Sequence, residues 1–302
     1  MRGTAACLAA AALWASNGVV SKHLMNAGVS PFALAEGRVT FGAILAVAWL
    51  AARRPSALRI RPRDVTRFVV LGSVGLAAVN ACYLGAISRI PTAAAILLQY
   101  LAPVFIAVFA WRFMGERLGP AKLGALALAV AGSYLVVGGY NVDLAGLDRW
   151  GVVWGLAAAL SFAFYCIYSE YGLRSYPPWT VLCYALVGAA ATWTVALGPA
   201  RLLTLGWDAG SWTLVAYSAS FGTVVPFGLF AYGVEHLRAT RATIVATAEP
   251  VLAAALAYLW LGERLEGLQL LGGALVLAAV AWLQRAREHD RLAPAALRAE
   301  GG

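Results

Sequence analysis

Long apolar runs, separated by short polar or basic breaks, repeat along the whole chain. Taken one by one, they predict helices at about 4–25, 32–52, 67–87, 92–114 and 120–140. A second group follows at about 150–170, 178–197, 212–234, 240–261 and 267–284. Most of these runs are near the ~20 residues with which an α-helix crosses a hydrocarbon core. Pro31, Pro62, Pro91, Pro120 and Pro178 stand at or near the starts of runs, where a missing N–H costs least. Most breaks are only a few residues long, so successive helices have to pack antiparallel. The short alternating segments of a membrane barrel are absent from the sequence. The pattern predicts an all-α integral membrane fold of ten transmembrane helices.

Composition strengthens this reading. Of the 302 residues, 62% are hydrophobic and 12% charged, against roughly 45–50% apolar and about 25% charged in soluble domains. So little polar surface requires lipid as the solvent. The net charge of +9 is then read by its position, and not as a sign of nucleic-acid binding. With ten spans, 17 Lys and Arg fall on the side of the termini, many of them in the connection 53–67 and in the tail, and five on the other. That bias predicts both termini in the cytoplasm. The first run continues past Trp14 for a full span, so it reads as a retained helix and not a cleaved leader. Cys7, Cys82, Cys166 and Cys183 stand singly, without metal-ligand or redox spacing, and no metal or cofactor is expected.

The chain also repeats itself. At an offset of 147 residues, Ala12-Leu13 falls on Ala159-Leu160, Pro31 on Pro178, Phe32 on Trp179 and Pro103 on Pro250. At the same offset Gly115-Glu116-Arg117-Leu118 falls on Gly262-Glu263-Arg264-Leu265. Each half holds five helices, an odd number, so the second half enters the membrane from the opposite side. The expected organisation is two inverted five-helix repeats, 1–145 and 146–285, with a disordered cytoplasmic tail at 286–302. Each GERL tetrad is expected to be a structural corner. Its Gly would end a helix in a left-handed cap, and its Glu would meet the positive end of the next helix dipole.

Two five-helix units, each carrying a mid-helix proline, then a GERL tetrad, then a Gly-rich helix, resemble the drug/metabolite transporter superfamily. More narrowly they resemble its EamA-type members, and the compact aromatic-rich chain is similar to the YddG-like amino-acid exporters. The resemblance covers nearly the whole chain and implies export of small metabolites, amino acids among them, across an inner membrane. The shared residues are architectural and do not identify a substrate.

Inverted repeats with interrupted helices place a site near the midplane, between the halves. Pro103 and Pro250 lie midway along helices four and nine and release the carbonyls of Gln99 and Ala246. They are candidate hinges, or plain packing kinks. Gln99 and Glu249 make that face polar, and Tyr100 and its counterpart Thr247 lie beside it. A carboxylate so deep is costly and points to a cavity, unless an internal ion pair explains it. Trp14 and Asn17, Asn80 and Tyr83, Ser161 and Tyr165, and Tyr232 add aromatic walls and polar handles on helices one, three, six and eight. Simple core packing is the competing explanation for each. Trp111, Trp150, Trp179, Trp212 and Trp260 instead suit the interfacial belts. Arg38 reads either as a substrate anchor or as a residue that snorkels or pairs with a neighbouring helix.

The function expected from these features is alternating-access export of neutral or aromatic amino acids and related metabolites. The expected partners are the small molecule and the bilayer, with no nucleic acid, in a monomer or weak dimer. A sugar-phosphate or nucleotide-sugar carrier would need several deep cations where only Arg38 is plausible. A membrane-embedded lipid enzyme would need paired acid/base groups or a metal cluster, and the sequence has no such constellation.

Overall fold

The computed structural model describes residues 2–143, 146–198, 201–204, 206–261, 265–286 and 294. Helices dominate, and no strand occurs among the described residues. The first five spans are α1 (Arg2–Asn26), α2 (Pro31–Arg53), α3 (Pro62–Ile87), α4 (Ala93–Phe113) and α5 (Pro120–Val136). The second group opens with α6 (Arg149–Leu173) and α7 (Pro178–Leu197) and closes with α10 (Gly267–Arg285). Between them the run Ala209–Ala246 is continuous except at Arg238, whose φ of 67° and ψ of 165° are not helical. That joint separates α8 (209–237) from α9 (239–261). Eight runs are long and apolar enough to cross a bilayer, α5 is shorter at 17 residues, and the joint makes two spans of the longest run. α5 stops four residues before the expected end because Gly138, at φ 72°, turns the chain left-handed.

Helix contacts carry the signature of an inverted pair. α2 packs on α7 and α5 on α10. α1 packs on α8 and α9, while α6 packs on α3 and α4. Exchanging each helix for its counterpart five positions on returns the same set. Two π-helical turns obey the same symmetry: Leu71–Ala77 in α3 and Ser220–Val224 in α8, with 73–77 falling on 220–224 at the offset of 147. Inside them, Gly75 faces Tyr165 of α6 and Gly222 faces Asn17 of α1. π-bulges often mark functional positions in helices.

The start of α1 and the end of α10 lie on one face, since the Gln284 amide donates to the Thr4 hydroxyl. On that face the basic connection 53–67 is fastened to α7. Thr180 Oγ1 donates to the Ala57 carbonyl at 2.8 Å, and the Tyr184 hydroxyl to the Leu58 carbonyl at 2.6 Å. Just before α7, the Tyr176 hydroxyl donates to Asp64 at 2.6 Å. On the opposite face the Asp208 side chain caps α8 by accepting from the Ser211 N–H at 2.8 Å. Its hydrogen bonds to Ser211 hold the Asp208 carboxyl below the usual carboxylate range.

Gly115 forms the left-handed corner expected of the first tetrad, at φ 65°. Glu116 departs from expectation. It lies before α5 begins at Pro120 and is 2% exposed, held by charged partners and not by a helix dipole. Gly262, Glu263 and Arg264 of the second tetrad lie outside the described residues, as does the tail except Ala286 and Pro294.

Small residues let helices approach closely, as is usual in membranes. A Cβ on Gly72 of α3 would come within 2.6 Å of the Ala185 carbonyl and the Ala189 N–H of α7, whereas one on Gly18 would meet nothing within 4 Å. Gly72→Ala is therefore expected to lower the melting temperature, by about 1–3 kcal/mol of overpacking. Gly18→Ala gains helix propensity of up to ~1 kcal/mol. Thermal unfolding in detergent distinguishes the pair, and equal behaviour of the two variants would refute the close α3–α7 contact.

Candidate functional site

Both proline-bearing spans are broken at the same place. α4 consists of Thr92–Gln99 and Ala102–Phe113, with Tyr100 and Leu101 in the turn between them. α9 breaks at Thr247, before Ala248–Leu261. Tyr100 and Thr247 are 147 residues apart, and Pro103 and Pro250 stand three residues after them. Proline cannot donate to the carbonyl four residues back, so each ladder opens at the preceding turn.

The two breaks meet in a polar cluster. The Tyr100 hydroxyl stands beside the Glu249 carboxylate, where α4 meets α9. Tyr83 of α3 stands within electrostatic reach of Glu249, Tyr100 and Arg38. Arg38 of α2 donates to Asn80 Oδ1, one turn from Tyr83. Asn80 Nδ2 in turn donates to the Leu76 carbonyl at 2.8 Å, which aims the amide oxygen at the guanidinium. That carbonyl lies in the π-helical turn, where the backbone ladder is already loosened. Glu36, two residues before Arg38, interacts with Arg201 instead. Arg38 thus keeps a neutral partner, and its Nε has no hydrogen-bond partner among the described residues. Arg38, Tyr83, Tyr100 and Glu249 are all half-buried. A cation and a carboxylate are held in one cluster, with a phenol in reach of both.

An aromatic cluster forms from α1, α6 and α8. Trp14 packs on Phe227 and Phe230, with ring centroids 5.0 and 5.5 Å apart, and Tyr165 meets Phe227 edge-on at 5.6 Å. Asn17 is buried there and accepts from Ser218 Oγ at 2.8 Å. Ser161 stands beside Cys82, where α6 meets α3. At the offset of 147, Asn80 falls on Phe227 and Tyr83 on Phe230. The same two positions are polar in the first half and aromatic in the second.

The sequence-predicted residues therefore divide. Asn80, Tyr83, Tyr100 and Glu249 come together, and Trp14 and Tyr165 join the aromatic cluster. Gln99 is half-buried at the end of the first half of α4. Thr247 spends its hydroxyl on the Ile244 carbonyl at 2.6 Å. Tyr232 lies toward the far end of α8, its ring tilted 38° against His236 with centroids 4.2 Å apart. Phe227 and Phe230 belong to the aromatic cluster without being expected there, and Arg38, whose sequence reading was divided, belongs to the polar one. The depth of Arg38 in its span was the available signal. For the phenylalanines it was their match to Asn80 and Tyr83. A cavity of about 240 Å³ between α4 and α5 also reaches Tyr100, and it shares Val130 and Tyr134 with an apolar groove of about 690 Å³.

Comparison with known proteins places this geometry. An uncharacterized transporter of Archaeoglobus fulgidus is 35% identical over 216 residues, 69% of this chain and 75% of that one. The "Probable terminal-alkyne amino-acid exporter" of Streptantibioticus cattleyicolor is 28% identical over 85% of this chain and 84% of its own. The threonine/homoserine exporter RhtA of Escherichia coli is 23% identical over 84% of this chain and 82% of its own. A solved crystal structure shares the fold with a TM-score of 0.78 at 23% identity, covering 95% of this chain and 99% of that one. The model of the EamA-like transporter family matches residues 1–138 and again 149–284. With two matching halves, ten spans in inverted pairs and paired helix breaks between them, the chain belongs to the EamA-like transporter family.

Proposed function

We propose that the chain exports neutral and aromatic amino acids, by alternating access between its repeats 1–145 and 146–285. The observation that carries this reading is the half-buried cluster in which Arg38 and Glu249 both lie within reach of Tyr83. A zwitterion offers a carboxylate to the guanidinium and an ammonium to the Glu249 carboxylate. Arg suits the first task because its planar fork matches a carboxylate. The aromatic cluster around Trp14 supplies apolar contact for a side chain. The amino-acid exporters among the relatives support the same class. A phosphorylated sugar fits less well, since Arg38 is the single cation of this cluster among the described residues and Glu249 would repel a dianion. The Lys and Arg bias of 17 to five supports both termini in the cytoplasm, and the family supports a bacterial inner membrane. The working unit in this reading is a monomer or weak dimer.

Uptake of labelled amino acids into proteoliposomes, with and without a pH gradient, tests the substrate class. Saturable uptake of neutral and aromatic amino acids is expected. Uptake of a sugar phosphate with none of any amino acid would overturn the assignment. The hinges have their own test. Pro250→Ala restores an N–H that can bond the Ala246 carbonyl, so the break in α9 stiffens. Initial transport rates are expected to fall severalfold in folded protein. An unchanged rate in both Pro250→Ala and Pro103→Ala would remove the hinge role.

A further inference from the structure

The face that bears the termini is closed by a buried charge network. Arg238, in the joint between α8 and α9, is 0% exposed and takes a φ of 67°, which favours glycine. Such a conformation persists in a bulky residue only where its surroundings over-determine it. Here they do. Arg238 Nε lies 3.1 Å from Glu170 Oε1 at the end of α6, and 3.7 Å from Glu116 Oε2 in the α4–α5 corner. Glu170 Oε2 accepts from the Ala239 N–H at 2.8 Å, and Glu116 Oε2 accepts from Thr240 Oγ1 at 3.0 Å. Lys122, at the start of α5, adds an ion pair to Glu116 at 3.3 Å. Glu116 and Lys122 belong to the first half of the chain, and Glu170, Arg238 and Thr240 to the second. The network thus bolts one repeat to the other.

The inverted repeat makes this network one-sided. At the offset of 147, Arg238 falls on Pro91, Glu170 on His23, Lys122 on Gln269 and Thr240 on Ala93. The sequence therefore has no counterpart to the central cation on the opposite face. We propose that Arg238, with Glu116 and Glu170, is the gate on the terminus-bearing face, and that the network parts each time that face opens. This rests on the alternating-access reading, but not on the identity of the cargo. Separating buried charges is costly unless water or new partners replace them, so the network holds the structure in the state closed on this side.

Native cysteines supply the test without any substrate. Cys166 lies one turn before Glu170 on α6 and is 0% exposed. Cys82 lies on α3 toward the opposite face. The full chain in proteoliposomes is treated with a membrane-impermeant maleimide from either side, and labelling is read at each cysteine by mass spectrometry. Arg238→Gly removes the guanidinium yet suits the positive-φ backbone. It is expected to speed Cys166 labelling from the terminus-bearing face by about tenfold, the size of a modest population shift. Cys82 labelling from the other face should slow at the same time, because a molecule open on one side is closed on the other. Arg238→Lys keeps the charge and is expected to shift both rates less. Thr240→Val, which removes one hydrogen bond to Glu116, should move both rates the same way and serves if Arg238→Gly proves unstable. Unchanged Cys166 labelling in folded variants would overturn the gate. So would a rise at both cysteines, which is the mark of general loosening.

Discussion

Glu249→Gln is expected to cut amino-acid uptake about 30-fold or more, in a protein that melts no lower than the parent. Removing one partner of a desolvated charge pair costs roughly 2–5 kcal/mol of binding. The amide is isosteric and keeps its place beside the Tyr100 hydroxyl, so the α4–α9 contact survives. What disappears is the anion that faces the substrate ammonium. An ionised carboxylate inside a membrane span is itself a stability cost, and the amide relieves it. Lost transport with stability kept or gained separates a binding role from an architectural one. Uptake kinetics and a thermal melt on the same preparation decide it. Full uptake by the variant would move the ammonium site elsewhere.

The second large effect is expected at Arg38. Arg38→Met keeps much of the side-chain volume and loses the guanidinium, so Asn80 loses its donor and the substrate its carboxylate anchor. Zwitterion uptake should fall about tenfold to a hundredfold, since a charge-assisted hydrogen bond is worth ~1.5–3 kcal/mol. An amine of the same side chain without a carboxylate should lose little. Arg38→Lys should recover part of the loss, because a point charge attracts a carboxylate but cannot grip it with two N–H groups. Competition by amino acid and amine in each variant measures this directly. Equal losses for both compounds would make Arg38 a structural residue.

These effects trace a boundary in what the sequence discloses. The spans, the offset of 147 and the paired breaks beside Pro103 and Pro250 could be read directly, because hydrophobic runs and proline chemistry are local signals. The π-helical turns were not read, although Gly75 and Gly222 are themselves 147 residues apart and mark their places. Nothing local distinguishes a π-helical turn from an ordinary one. Glu116 was read as a helix-start residue because its tetrad looks like a corner. Its partner Arg238 lies far along the chain, and only the folded bundle brings the two together. The left-handed backbone at Arg238 carries no sequence signal either, since it is imposed by Glu170 and Ala239. In the central cluster, Glu249 and Tyr100 could be found by depth and symmetry. Arg38 was ambiguous until Asn80 proved to be its partner, because a charge near a span end can always snorkel.

The two halves also diverge around the proposed site. Asn80 and Tyr83 face the polar cluster, and their counterparts Phe227 and Phe230 build the aromatic one. An amphipathic molecule with a charged head and an apolar side chain has a matching surface on either side. That asymmetry lies within an otherwise repeated frame, at the place where inverted-repeat transporters hold their site.

Counterflow tests this most directly. Proteoliposomes loaded with an unlabelled neutral or aromatic amino acid are diluted into a trace of the same labelled compound, without any ion gradient. One site exposed alternately to the two faces predicts a transient accumulation of label above its outside concentration, abolished by Glu249→Gln. Label that only rises to equilibrium, whatever the internal load, would contradict it.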